Sequence, residues 1–169
     1  MKLFNRTSQV KPIKDQIEAF FNQIKFNYQV TEDNEKRTVL KTGVSLEIGN
    51  SDVFIVIHHG IKLVEIFAVS PTNVPLNKRK EISKFLDIVD YISYLGNLQL
   101  NHTDGGIRCK TYFCYGDESV NQQIINDNFY ESINILDRYI PGVMKIIYGG
   151  KDADSVMAEI NGEINPLNS

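Results

Sequence analysis

Cysteine is scarce in this chain of 169 residues, and the two present do not form a motif. Cys109 and Cys114 stand five apart on one predicted strand, so they point to opposite faces. Their Cα atoms would lie about 16 Å apart, beyond disulfide reach. No C-x-x-C is present, which removes the usual thiol zinc and redox arrangements. Both read as small core or near-core residues in a reducing compartment. Long apolar runs are also missing. Val53 to Ile57 and Ile66 to Val69 are the longest, far short of a membrane span. Met1 to Arg6 is followed by no apolar stretch of signal-peptide length, so a cytoplasmic location is expected. An excess of positive charge is lacking as well. Lys and Arg total 18 against 21 Asp and Glu, for a formal charge of -3. Phosphate neutralisation drives non-specific nucleic-acid affinity, so no nucleic-acid partner is expected. The one dense basic cluster, Lys78-Arg79-Lys80, falls in the first turns of a predicted helix. It reads as a solvated face, with contact to an acidic partner as the sharper alternative.

Catalytic signatures are absent too. There is no G-x-S-x-G, no H-E-x-x-H and no H-x-x-x-H. His58 and His59 are adjacent on a strand and so face opposite ways. His102 falls in a loop. Glycine pairs at 105–106 and 149–150 do not follow the strand-to-helix pattern of a phosphate cradle. No catalytic residue, metal ligand or cofactor is expected from these patterns. Two further readings remain. His58, His102 or Cys114 would serve a small-ligand sensor or an enzyme with an unrecognised site, if a pocket gathered at least two of them. Arg108, Lys110 and Tyr112 interleave basic and aromatic character, as a single-stranded nucleic-acid platform does. A sheet surface covered by helices on one side and by a partner on the other explains the same residues.

What is present is a soluble-domain composition, 42% hydrophobic and 23% charged. One domain is expected over residues 1–160, with 1–7 frayed and 161–169 a flexible tail. Val10, Ile13, Ile17, Phe20, Phe21 and Ile24 form a helical stripe, with Pro12 acceptable in the first turn. Phe26 to Val30 is a short extended piece. From Val39 the period changes to two, with Leu40, Thr42, Val44, Leu46 and Ile48 on one side of a half-buried strand. Val53 to His58 is apolar on both sides and is expected to be the strand with most cover. Ile61 to Val69 completes an antiparallel meander. A second helix carries Ile82, Phe85, Leu86, Val89 and Ile92, with Gly96 as its stop. Leu98 to Leu100 and Ile107 to Tyr115 flank Asp104-Gly105-Gly106, a hairpin signal. Ser119-x-x-Gln122 has capping-box form, with Asp117 as a rival cap. The helix that follows runs to about Tyr139, where Pro141 is expected to interrupt it. A short piece over 143–148 and a last helix from Asp152 through Ile160 end the chain. The order is α-β-β-β-α-β-β-α plus C-terminal helices, an α+β class with an antiparallel sheet.

Several of these pieces together resemble the YbjN family, over residues 38–160. They are Val39-Leu40-Lys41-Thr42-Gly43, Val74-Pro75, Tyr94 through Leu100, Asp104-Gly105-Gly106-Ile107-Arg108, and Asp137 through Met144. The resemblance implies the type III secretion chaperone-like fold, a five-stranded, strongly bent antiparallel sheet with helices packed on it. It also implies a homodimer. Family members are described as candidate regulators of bacterial sensing or stress responses, without an established reaction. Fold relatives bind extended segments of client proteins. The expected function is a non-enzymatic protein-binding module, a chaperone-like or regulatory adaptor, with protein partners and no membrane. Phe85, Val89, Ile92, Leu98 and Leu100 are the expected dimer or partner contacts.

Overall fold

A computed structural model describes residues 10–164. The expectations for 1–7 and for 165–169 lie outside these residues. Helix α1 spans Ile13–Ile24 and follows Pro12, whose extended backbone ends the preceding chain. Its stripe of Ile13, Ile17, Phe20 and Phe21 is buried, and Lys25 closes it in the left-handed region at φ 56°. Six strands follow, where five were expected: β1 Gln29–Asp33, β2 Arg37–Leu46, β3 Gly49–His58, β4 Leu63–Val69, β5 Asn97–Leu100 and β6 Ile107–Cys114. They form one antiparallel sheet in the order β1-β2-β3-β4-β6-β5. The additional strand is β1, a short polar edge with a bulge between Val30 and Glu32. Ile61 lies outside β4, in a turn where Lys62 has φ 51°.

Helix α2 covers Arg79–Ile92, and α3 runs without a break from Gln122 to Gly149. Asn121 caps α3 by accepting the Gln123 N–H at 2.9 Å, displacing both Ser119 and Asp117 from that role. Pro141 sits inside α3 and does not interrupt it. A proline there removes one ladder bond and crowds the carbonyl four residues back, costing about 3 kcal/mol. Burial on both sides of the proline outweighs that loss. Leu136, Ile140, Val143 and Ile146 are almost fully enclosed. A Cβ at Gly142 would lie 2.8 Å from the Phe85 ring and 3.0 Å from Val156, so α2, α3 and α4 meet at this glycine. Helix α4 spans Ala153–Ile164, longer than expected, and is capped by Asp152 through Ser155 N–H at 2.8 Å.

The helices gather on one face of the sheet. Thr38, Leu40, Val53, Ile55, Ile57, Val64, Ile66, Ala68, Ile107, Cys109 and Thr111 point under them and are buried. An aromatic cluster joins α1 to α3, with Phe129 edge-on to Phe20, Phe21, Phe26 and Tyr130 at 5.2–5.6 Å.

Candidate functional site

Strand alternation sends every second side chain to the face that carries no helix among the described residues. Register sets these residues in rows across the sheet. Lys41, Phe54, Phe67, Lys110 and Asn97 form one row. Val39, Val56, Glu65 and Tyr112 form the next. Arg37, His58, Leu63 and Cys114 form a third. On the other flank Val69, Arg108 and Gln99 are aligned. Phe54, Val56, Leu63, Phe67 and Val69 are only half-buried, so an apolar centre lies open across β3 and β4.

Cations frame that centre. The Lys41 ammonium lies 5.4 Å from the Phe54 ring centroid and 2.7 Å from Asp52. The Arg108 guanidinium lies over Phe67 at 4.3 Å, and its Nε donates to Gln99 Oε1 at 2.9 Å. Lys110 reaches Glu65 at 3.4 Å and sits 5.7 Å from the Tyr112 ring. His58 Nε2 meets the other Glu65 oxygen at 2.8 Å. Burial pushes the Glu65 carboxyl up, but the His58 hydrogen bond and the Lys110 charge outweigh it and hold the group below its ordinary value. Beyond Arg108 a depression of about 510 Å³ opens at the hairpin, with Val69, Gln99, Leu100 and Asp104 in its lining.

The hairpin that sets this end of the face is wider than a tight turn. Residues 101–106 form a loop closed by Asn101 N–H to the Gly106 carbonyl and Gly105 N–H to the Asn101 carbonyl, each at 2.8 Å. Asp104 Oδ1 accepts from Gly106 N–H at 2.8 Å. Gly105, at φ +83°, lies so close to Val74 that a Cβ would come within 2.2 Å of its carbonyl oxygen. Arg79 clamps the same loop, donating through Nη1 to the His102 carbonyl at 2.6 Å. The basic cluster is thus partly spent on holding the hairpin.

The candidate residues from the sequence divide. Phe85 and Val89 are 0% exposed and Leu98 4%, so these three belong to the monomer's own core and are closed to a partner. The helical stripe that suggested them is the stripe that packs inward. Ile92, 44% exposed, and half-buried Leu100 remain at the surface. Beside Ile92, Tyr91 and Tyr94 are 92% and 106% exposed. Arg108, Lys110 and Tyr112 share the open face, whereas Phe113 points under the helices. His58 and Cys114 lie on one row with Leu63 between them. His102 is in the hairpin loop, 3.4 Å from Ser83 Oγ, at the opposite end of β6 from Cys114. His59 turns away to the buried Thr38 hydroxyl at 3.0 Å, which also donates to Asp33 at 2.7 Å. Burial pushes the Cys109 thiol up to about 12. Among the described residues no group of three or more His, Cys, Asp or Glu is placed to hold a metal ion, and no helix is long and apolar enough to cross a membrane.

Sequence reasoning missed Phe54, Val56, Phe67 and Gln99 as face residues. The signal was visible in Val53 to His58, apolar at every position but the last. That pattern reads equally as cover on both faces or as one covered face and one sticky face.

No family model matches the chain, and no curated protein matches it by sequence. The architecture is that of an α+β, YbjN-like fold. A crystal structure of YbjN from E. coli, described as a candidate transcription regulator, superposes with a TM-score of 0.53 at 10% identity, covering 77% of this chain and 90% of that one.

Proposed function

We propose that this protein is a non-enzymatic binding module that receives an extended segment of a partner protein on the open face of its sheet. The observation that carries the reading is the half-buried apolar centre of Phe54, Val56, Leu63, Phe67 and Val69, left without a helix among the described residues while β3, β4 and β6 are buried on the opposite face. Contiguous apolar surface rimmed by polar groups is the mark of an interaction site. The rim here is Lys41, Lys110 and Arg108, ordered by ion pairs and ring contacts, while Glu65 lies within the patch between Leu63 and Phe67 and holds Lys110. Such a surface gives affinity through burial, while the rim discourages indiscriminate association. A chaperone-like or regulatory adaptor needs this combination. The dispersal of His58, His102 and Cys114 supports a binding role over a catalytic one, since acid–base or nucleophilic work needs its groups within hydrogen-bond reach. The role described for YbjN is compatible with an adaptor acting on other proteins.

The same reading includes self-association, at the end of α2 where Tyr91, Ile92 and Tyr94 lie at the surface. The expected result is a dimer in sedimentation at tens of micromolar, about the range a stable pair would hold. Monomer alone there removes this part of the proposal.

The test of the docking surface uses a defined unfolded probe, reduced and alkylated α-lactalbumin, titrated by calorimetry. Micromolar binding is expected, weakened at least about tenfold by Phe67→Glu while the folding transition persists. Absence of binding by the folded wild-type protein, or equal binding by the variant, overturns the proposal.

A further inference from the structure

The charges on the open face do not cancel, and the residue left over is Arg108. Lys41 is taken by Asp52 at 2.7 Å. Lys110 and His58 share Glu65 at 3.4 and 2.8 Å. Both carboxylates that face the apolar centre are therefore committed. The guanidinium of Arg108 has a ring beneath it and an amide oxygen on Nε, yet among the described residues it has no carboxylate partner. Asp104, the one carboxylate lining the adjoining depression, is occupied by Gly106 N–H at 2.8 Å and the Asn101 amide at 3.0 Å. On a chain of net charge -3, Arg108 is thus a cation of this face whose outer nitrogens have no ion-pair partner among the described residues.

Resting on the docking function of this face, we propose that Arg108 is its selectivity element, a fork that receives the carboxylate of an Asp or Glu in an extended, otherwise apolar partner segment. Three features suit it to the task. Phe67 and Gln99 fix the plane of the guanidinium, so little rotamer freedom is lost when a ligand arrives. The two outer nitrogens are on an exposed residue, and a guanidinium receives a carboxylate through two parallel bonds. The neighbouring depression, bordered by Val69 and Leu100, is large enough for an apolar side chain beside the acidic one. An extended segment alternates its side chains, so every second residue can face the sheet. A segment lying along this face would set one acidic residue on Arg108 and bury its apolar neighbours of the same parity over Phe67 and Phe54.

The test uses the full chain and three fluorescein-labelled peptide sets of about ten residues, ~33 Å when extended. The sets are identical in apolar content and differ only in carrying Glu, Gln or Lys at the polar positions. Fluorescence anisotropy should give the Glu set roughly tenfold tighter binding than the Gln set, and the Lys set the weakest, with the Glu advantage shrinking as salt rises. Arg108→Gln should abolish the Glu advantage, so that the Glu and Gln sets bind that variant alike, whatever loss the two sets share. Arg108→Lys keeps the charge but loses the fork, and should retain only part of the preference. Circular dichroism of both variants establishes that they fold. Equal binding of Glu and Gln sets by the wild type, or a Glu preference that survives Arg108→Gln, overturns the assignment while leaving the docking face intact. Failure of all three sets to bind overturns both.

Discussion

Replacing Gly105 with alanine tests how the hairpin holds the Arg108 end of the face. Gly105 has φ +83°, a region where a Cβ costs about 1 kcal/mol or more. The added carbon would stand 2.2 Å from the Val74 carbonyl oxygen and 3.0 Å from both its carbonyl carbon and its amide nitrogen. These are backbone atoms of a residue only 1% exposed, so the loop must move away. Moving it stretches the Val74 N–H bond to the Gly105 carbonyl, now 2.8 Å, at a further cost of about 1 kcal/mol. With residual crowding the total is about 3 kcal/mol. A urea slope of about 2 kcal/mol per molar converts that into a midpoint lowered by roughly 1.5 M. Gly60→Ala is the control. Gly60 has no heavy atom within 4 Å of its Cβ position and no positive φ, so its midpoint should change by less than about 0.3 M. If the two variants unfold at the same urea concentration, the close approach of the hairpin to Val74 is wrong.

Two further substitutions probe the covered and open faces. Phe129→Ala empties the centre of the ring cluster between α1 and α3 and should cost about 3–5 kcal/mol in urea unfolding; a loss below about 1 kcal/mol contradicts that packing. Glu65→Gln acts through pH. The folded carboxyl lies below its ordinary value of 4.5, so its contribution is fully present above that value and is lost as pH falls through the folded pKa. The variant should be about 1 kcal/mol less stable at neutral pH and equal to wild type well below the folded pKa. A difference that persists undiminished into strong acid removes the ion pair as its cause.

How much of this was legible in the sequence depends on whether a local pattern had one physical solution. The parity of Cys109 and Cys114 had only one, and the first is buried while the second is exposed, not the near-core residue expected, because the odd spacing turns it to the open face. Asp152 as a cap was equally local and is found at Ser155. Pro141 illustrates the opposite case. Its local preference is to end a helix, and only the enclosure supplied by Phe85 and Val156 explains why α3 continues. Strand β1, Gln29–Asp33, carries no alternating apolar signal, because it is an edge whose pairing with β2 is made by the backbone. The contact residues Phe85, Val89 and Leu98 were misplaced for a related reason. An apolar stripe says that a helix is covered, but not whether its own sheet or a second molecule covers it. The open face was hidden in the same way within Val53 to His58, where Phe54 and Val56 are as apolar as Ile55 and Ile57 but face outward.

The central claim is that the helix-free face of the sheet is where a partner lies. Methyl-resolved NMR of the labelled protein, titrated with the Glu-containing peptide set, tests it most directly. Shifts confined to Val56, Leu63 and Val69, with Ile17, Ile125 and Leu136 unmoved, are the result expected. Shifts centred on the outer surfaces of α1 and α3, with the methyls of β3 and β4 unchanged, would contradict it.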